Sequence, residues 1–181
     1  MLVSAVGSRL ENHIEIQGAV YRPGSYGWRP GLRVSDLIPS LTEDLLPEAD
    51  LSYSLLVRQK EGSLDIDVVQ FNLSDMFVSF GGEHDPELAP YDKLLVFSSP
   101  VAGEIDIDLV EDFELGEDIE PGEDIEPGEY TREEMLVPVI EKLRLQSRGG
   151  EAVNLATVAG AVLAPGDYPI MPGYTANDLV S

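Results

Sequence analysis

Cysteine is missing altogether from this 181-residue chain. Its absence removes disulfides, thiolate nucleophiles, cysteine-ligated zinc, iron–sulfur clusters and a cysteine-borne lipid anchor together. It does not fix a compartment, since reducing and oxidising surroundings both tolerate cysteine-free proteins. Positive charge is scarce as well: 11 Lys and Arg face 34 Asp and Glu, a net charge of −23. Such a field repels phosphate backbones and anionic membrane surfaces, so nucleic acid is not an expected partner. No apolar run reaches the roughly 18 residues that a membrane span needs. The opening "MLVSAVGSRLENH" has no basic segment ahead of a long apolar stretch, so it does not read as a signal peptide. It reads as a segment cut from a longer precursor.

The chain does have many turn formers, Gly 17 and Pro 13, with 43% hydrophobic residues. In "HIEIQGAVY", Ile14, Ile16 and Val20 alternate with Glu15, Gln17 and Tyr21, the pattern of a half-buried strand. "RPGS" follows, with Pro23 and Gly24 placed for a type II turn. "YGW" then puts Tyr26 and Trp28 on one face of a short return strand. "RPGLRVSDLIPSL" turns a second Pro-Gly corner and predicts a short helix, with Asp36 in its first turn and Val34, Leu37, Ile38 and Leu41 as its apolar stripe. "YSLLVRQ" and "LDIDVVQF" predict two strands around "KEGS", with Leu64, Ile66 and Val68 sharing a face. "NLSDMFVS" predicts a helical turn, "GGEHDPEL" a loop and "YDKLLVFSS" a buried final strand. The order fits an α+β domain with a helix lying across a curved sheet.

No Lys or Arg occurs between Lys93 and Arg132, and "GEDIEP" is written twice, at 116–121 and 122–127. Dense like charge and repeated Pro-Gly steps predict an extended, mobile acidic linker over 100–130. The carboxylates there lack the spacing of an EF-hand loop. After the linker, Thr131 and Glu134 form a capping-box pattern. Leu136, Val139, Ile140 and Leu143 give the apolar stripe of a helix over 131–150. Acids lie at its front, Lys142, Arg144 and Arg148 at its back, and Gly149-Gly150 stops it. Pro138 should kink this helix or mark its true start.

One phrase returns. "GAVYRPGSY" at 18–26 becomes "GAVLAPGDY" at 160–168, and extending the ungapped alignment to Leu37 and Leu179 gives ten identities in twenty positions. The matched residues are turn Pro-Gly pairs, apolar strand positions and a helix-start Asp, which marks an internal duplication of a strand–turn–strand–corner–helix unit. "IQGAVYRPGSYGWRPGLRVSDLI" and "VAGAVLAPGDYPIMPGYTANDLV" resemble the opening of the soluble-ligand-binding β-grasp domain. "LLVRQ…IDVVQFNLSD…DPELAPYDKLLVF" resembles its remainder. These stretches resemble the polysaccharide export protein family, whose members carry such domains in tandem. The resemblance implies a complete β-grasp (ubiquitin-like) domain over 13–99, the acidic linker, a connecting helix and the first half of a second β-grasp unit over 152–181. It implies a periplasmic or outer-membrane-associated location in a Gram-negative bacterium and a non-enzymatic role. Its partners would be other export subunits or copies of itself, up to a ring, with polysaccharide as a further ligand. Three departures stand out: Arg33 where the second unit has the capping residue Thr175, the acidic insertion, and the missing export-domain sequence.

Catalytic constellations are hard to find. His84, Asp85 and a serine could be assembled into a triad on paper, but no nucleophile elbow accompanies them, and His84 reads as a surface-loop residue. His13 reads as an exposed residue where a strand begins. Asp65 and Asp67 are an acid pair for a polysaccharide-acting enzyme, the least favoured reading. No phosphate-cradling glycine loop is present, and no cofactor or metal is expected. Tyr21, Tyr26, Trp28 and Arg29 cluster around the first hairpin as candidates for glycan or partner contact, the competing reading being burial in a core or between domains. A small-ligand-binding β-grasp domain of another system is the alternative function. The half-unit at 152–170 leaves unpaired strand edges, which should find a strand partner or remain poorly ordered.

Overall fold

The computed structural model describes residues 12–60, 62–99, 131–147, 155–159 and 165–171. The acidic linker, Arg148, Gly149-Gly150, the second "GAVLA" and Thr175 lie outside the described residues.

β1 (His13–Gly18) and β2 (Gly24–Gly27) form the first hairpin. Two single-turn helices follow, α1 (Val34–Leu37) and α2 (Leu41–Asp44). β3 (Ala49–Gln59) and β4 (Ile66–Phe71) make a second hairpin, α3 (Leu73–Val78) crosses back, and β5 (Lys93–Ser98) ends the unit. The sheet order is β2-β1-β5-β3-β4, with β5 parallel to β1 and antiparallel to β3. Beyond it come α4 (Arg132–Ser147) and a separate two-stranded sheet of β6 (Leu155–Val158) and β7 (Gly166–Pro169). The architecture is α+β.

Alternation along the strands divides the burial into two cores. On one face, Ile14 and Ile16 of β1, Leu56 of β3 and Leu94 and Val96 of β5 pack with Val34, Ile38, Leu73 and Met76 from the short helices and the residues beside them. On the other, Tyr53, Leu55, Ile66, Val68, Leu95 and Phe97 receive Met135, Leu136, Val139, Ile140 and Leu143 of α4. Each apolar side chain that α4 buries stabilises its docking by about 2 kcal/mol as an upper figure. The layers are therefore short helices, sheet, then α4 with the second hairpin.

Local chemistry explains most boundaries. Gly18 ends β1 with φ at 100°, and a Cβ there would lie 1.8 Å from the Val96 carbonyl oxygen. Asn72 caps α3 by accepting from Asp75 N–H at 3.1 Å. Thr131 and Glu134 form the reciprocal capping box at α4: Thr131 N–H donates to the Glu134 carboxylate at 2.9 Å, and Glu134 N–H donates to Thr131 Oγ1 at 3.2 Å. The Thr131 N–H bond to the carboxylate, joined by one from Thr131 Oγ1 at 3.0 Å, holds the Glu134 carboxyl below its ordinary value.

Three expectations need correction. The single helix after the second corner is split into α1 and α2, because Pro39 pushes Ile38 out of helical geometry (φ −126°, ψ 72°) and Ser40 starts a new turn. Leu64 does not share the buried face of Ile66 and Val68. It stands 79% exposed in the turn, which Lys60 N–H closes onto the Asp65 carbonyl at 2.9 Å before β4 begins. Pro138 does not mark the start of α4, which begins six residues earlier, so its missing N–H falls inside the helix.

Two predictions follow from these boundaries. Gly18→Ala should cost at least about 2 kcal/mol in chemical denaturation, because the left-handed φ and the Val96 carbonyl both oppose a methyl; a loss under half that would contradict the geometry. Thr131→Ala should lower the thermal midpoint at neutral pH. The Glu134 contribution is present above the ordinary carboxyl value of 4.5 and is lost as pH falls through the depressed folded value. The gap between wild type and variant should therefore narrow in acid, as thermal scans from pH 7 to pH 3 will test.

Candidate functional site

The four hairpin candidates divide into two pairs. Tyr26 and Trp28 pack against the first core, as their alternation required. Trp28 Nε1 donates to the Leu88 carbonyl at 2.7 Å, and the Tyr26 hydroxyl donates to the Arg22 carbonyl at 2.6 Å. Both rings bury apolar area and satisfy their polar tips. Tyr21 is exposed, and Arg29 pairs with Asp36 at 3.7 Å on the surface. The four candidates are thus two anchors and two solvent-facing side chains.

His84 is exposed, whereas Asp85 beside it is 1% exposed. The Asp85 carboxylate accepts from Ser35 N–H at 3.1 Å, Ser35 Oγ at 2.6 Å and Gly81 N–H at 2.8 Å. The Arg33 guanidinium donates to the Asp85 carbonyl at 2.6 Å. Asp85 therefore clamps the 79–88 loop to the start of α1, and Arg33, standing where a capping side chain was expected, is the second tie. The cap there is one-sided: Asp36 accepts from Arg33 N–H at 2.9 Å. Asp67 is spent on Lys60 at 3.4 Å.

A cleft of about 890 Å³ opens where β3 runs into its turn and where the chain enters β5. Asn12, Arg58, Gln59, Lys60, Leu64 and Tyr91 contribute to its walls. Arg58 is fixed there by Asp92, which is fully buried: Nε and Nη2 donate to the carboxylate at 3.0 and 2.7 Å, and Nη2 also reaches the Glu87 carbonyl at 2.8 Å. The hydrogen bonds to Asp92 raise the already high pKa of the guanidinium. Asp92 also accepts from Ala89 N–H at 2.7 Å, so one buried carboxylate fixes both the cation and the loop.

The second hairpin sits on the far face of the sheet through residues that sequence reasoning missed. Arg132 lies over the rings of Tyr53, Phe97 and Tyr168, at 5.6, 5.1 and 6.0 Å from their centroids. Its guanidinium pairs with Asp50 and donates to the Ser98 carbonyl at 3.1 Å. Tyr53 meets Tyr168 edge-on at 5.4 Å and donates its hydroxyl to the Pro169 carbonyl at 3.2 Å. Burial pushes the Tyr53 hydroxyl far above its ordinary pKa. At the other end of α4, Gln146 accepts from Ile66 N–H at 2.8 Å and donates to the Ile66 carbonyl at 3.0 Å, occupying part of the outer edge of β4. Arg144 pairs with Asp167 of β7 at 2.5 Å. Within 152–170, β6 and β7 pair with each other and pack face-on against the first sheet, and the expectation of a strand partner or poor order for 152–154 and 160–164 falls outside the described residues. Tyr53 lies in the strand that "YSLLVRQ" predicts, but Arg132, Tyr168 and Pro169, which meet it from the second hairpin and α4, lie about 80 to 116 positions away.

The Tyr53 phenol is neutral in the fold, and its folded pKa lies above the unfolded value of 10.0. Its stabilising effect is therefore complete below pH 10 and is lost as pH rises beyond it. Tyr53→Phe should cost about 1 kcal/mol at neutral pH from the lost hydrogen bond and should flatten the alkaline fall in stability; a fall of undiminished slope would assign it to other groups. Arg132→Ala strands Asp50 and should cost about 3 kcal/mol by chemical denaturation. Comparison with family models, with curated proteins and with solved structures gives no match to this chain.

Proposed function

We propose that this chain is a non-enzymatic module of a bacterial polysaccharide export system, built from β-grasp units. It acts through contacts between protein subunits, with weak glycan contact, in the periplasm or at the outer membrane. The observation that carries the reading is the register of the repeated phrase. In the first hairpin His13, Ile14, Glu15 and Ile16 face Gly27, Tyr26, Ser25 and Gly24. In the second, Leu155, Ala156, Thr157 and Val158 face Pro169, Tyr168, Asp167 and Gly166. Every partner is displaced by the 142 positions that separate the two phrases in sequence. Gly24 and Gly166, equivalent under that shift, both have positive φ.

Support for the β-grasp reading comes from the sheet. A hairpin, a crossover to a second hairpin and a last strand inserted between them, parallel to the first, give the order β2-β1-β5-β3-β4. Tandem units joined through side-chain packing suit a subunit that assembles by stacking. The cleft beside Arg58 favours the second reading, a β-grasp domain that holds a small ligand for another system.

Native mass spectrometry together with calorimetric titration of the cognate polysaccharide tests the proposal. The full-length protein should appear as a defined oligomer, or in complex with an export subunit, and should bind glycan weakly. A strict monomer that binds neither glycan nor export subunits would overturn it. A small molecule that survives purification would favour the second reading.

A further inference from the structure

Tyr91 departs from the turn chemistry of its own chain. The described residues with positive φ are Gly18, Gly24, Gly31, Gly62, Gly81, Gly166 and one non-glycine, Tyr91 at 66°. It follows Pro90 in the turn that Asp92 N–H closes onto the Ala89 carbonyl at 3.3 Å. That is the third position of a turn, where a positive φ calls for glycine. At the Pro-led corners 23–24 and 30–31 the chain writes Pro-Gly with positive φ at the glycine, whereas the Pro47-Glu48 turn manages without a positive φ. A bulky side chain in the left-handed region is strained and persists only where the surroundings over-determine it. Here they do: Asp92 is buried and bonded to Ala89 and Arg58, and Tyr91 N–H donates to the His13 carbonyl at 2.7 Å.

The strain holds an aromatic ring in the wall of the cleft. Tyr91 is 54% exposed, its ring perpendicular to that of His13 with centroids 5.3 Å apart, while glycine would serve the turn better. We propose that the cleft is a carbohydrate subsite in which the face of Tyr91 receives a sugar ring of a neutral glycan. This deepens the export reading and rests on it for the class of ligand. Charge selects the neutral form. Arg58 and Lys60 are already paired with Asp92 and Asp67, and the chain carries −23 overall, which repels a polyanion. The Asp92 fork and the Glu87 carbonyl engage Arg58 through Nε and Nη2, leaving Nη1 as the donor for a sugar hydroxyl. Asn12 stands in the same cleft wall.

The experiment compares the full chain with Tyr91→Gly and Tyr91→Phe. Maltohexaose and cellohexaose serve as neutral probes and hexagalacturonate as the charged one, each titrated to millimolar concentration and followed by backbone amide shifts. A neutral probe should shift amides at 58–64 and 89–92 in the wild type and in Tyr91→Phe. Tyr91→Gly should bind at least tenfold more weakly while its thermal midpoint holds or rises, because glycine relieves the left-handed φ. A lowered midpoint in Tyr91→Gly overturns the proposal by making the ring a packing element. Undiminished binding in that variant, preference for hexagalacturonate, or no response to either neutral probe overturns it as well. Native mass measured on the same variants reads subunit assembly separately, so failure of the subsite is distinguishable from failure of the export reading.

Discussion

β5 is the constraint on which the rest depends. Leu94, Leu95, Val96 and Phe97 are all at or below 1% exposure, because the strand is covered on both faces and paired on both edges. Leu94 and Val96 close the core beneath the short helices, while Leu95 and Phe97 close the core beneath α4. A strand apolar on both sides needs cover on both sides. The first unit, taken as a single sheet with helices on one face, leaves Leu95, Phe97, Tyr53 and Leu55 open. α4 and the second hairpin supply that cover.

The two copies of the hairpin show how one backbone serves two kinds of burial. Tyr26 lies against the core of its own unit and bonds within its own hairpin. Tyr168, its equivalent, lies against Tyr53 and beneath Arg132, on the sheet of the first unit. Strand register and the positive φ at Gly24 and Gly166 are retained, so these belong to the repeated phrase. What the tyrosine touches is set by what else is present, and in the second copy that is the face of β3 and β5. Arg132 suits the junction because a guanidinium can stack on rings while donating to Asp50 and the Ser98 carbonyl at its edge.

Local features were legible in the sequence because their causes are local. Alternation marked β1, the Thr131–Glu134 pattern marked the start of α4, and its apolar stripe named four of the five side chains that α4 buries. Leu64 was misread because alternation continues past the point where a turn bond ends the strand. The split into α1 and α2 hinged on Pro39, whose effect is steric and falls on the residue before it. The junction was illegible for another reason. Asp50 and Arg132, Tyr53 and Tyr168, and Ile66 and Gln146 are distant in sequence, and nothing in the local pattern of either partner names the other. Trp28 illustrates the limit for candidate sites. The face it shares with Tyr26 was readable, although the strand ends one residue before it, but the Leu88 carbonyl that takes its N–H lies 60 residues away. Tyr91 was passed over because "APYD" does not announce a left-handed residue, so its φ becomes visible only beside the buried Asp92.

The central claim is that the repeated hairpin and α4 belong to the same cooperative body as the sheet, joined through the outer face of β5. Native-state hydrogen exchange, followed amide by amide with rising denaturant, tests this most directly. If the claim holds, the protected amides of α4, β6 and β7 will merge with those of Leu94 to Phe97 in one opening of the same free energy and the same denaturant dependence. Exchange of α4, β6 and β7 through a separate, lower-energy opening, with β5 still protected, would contradict it.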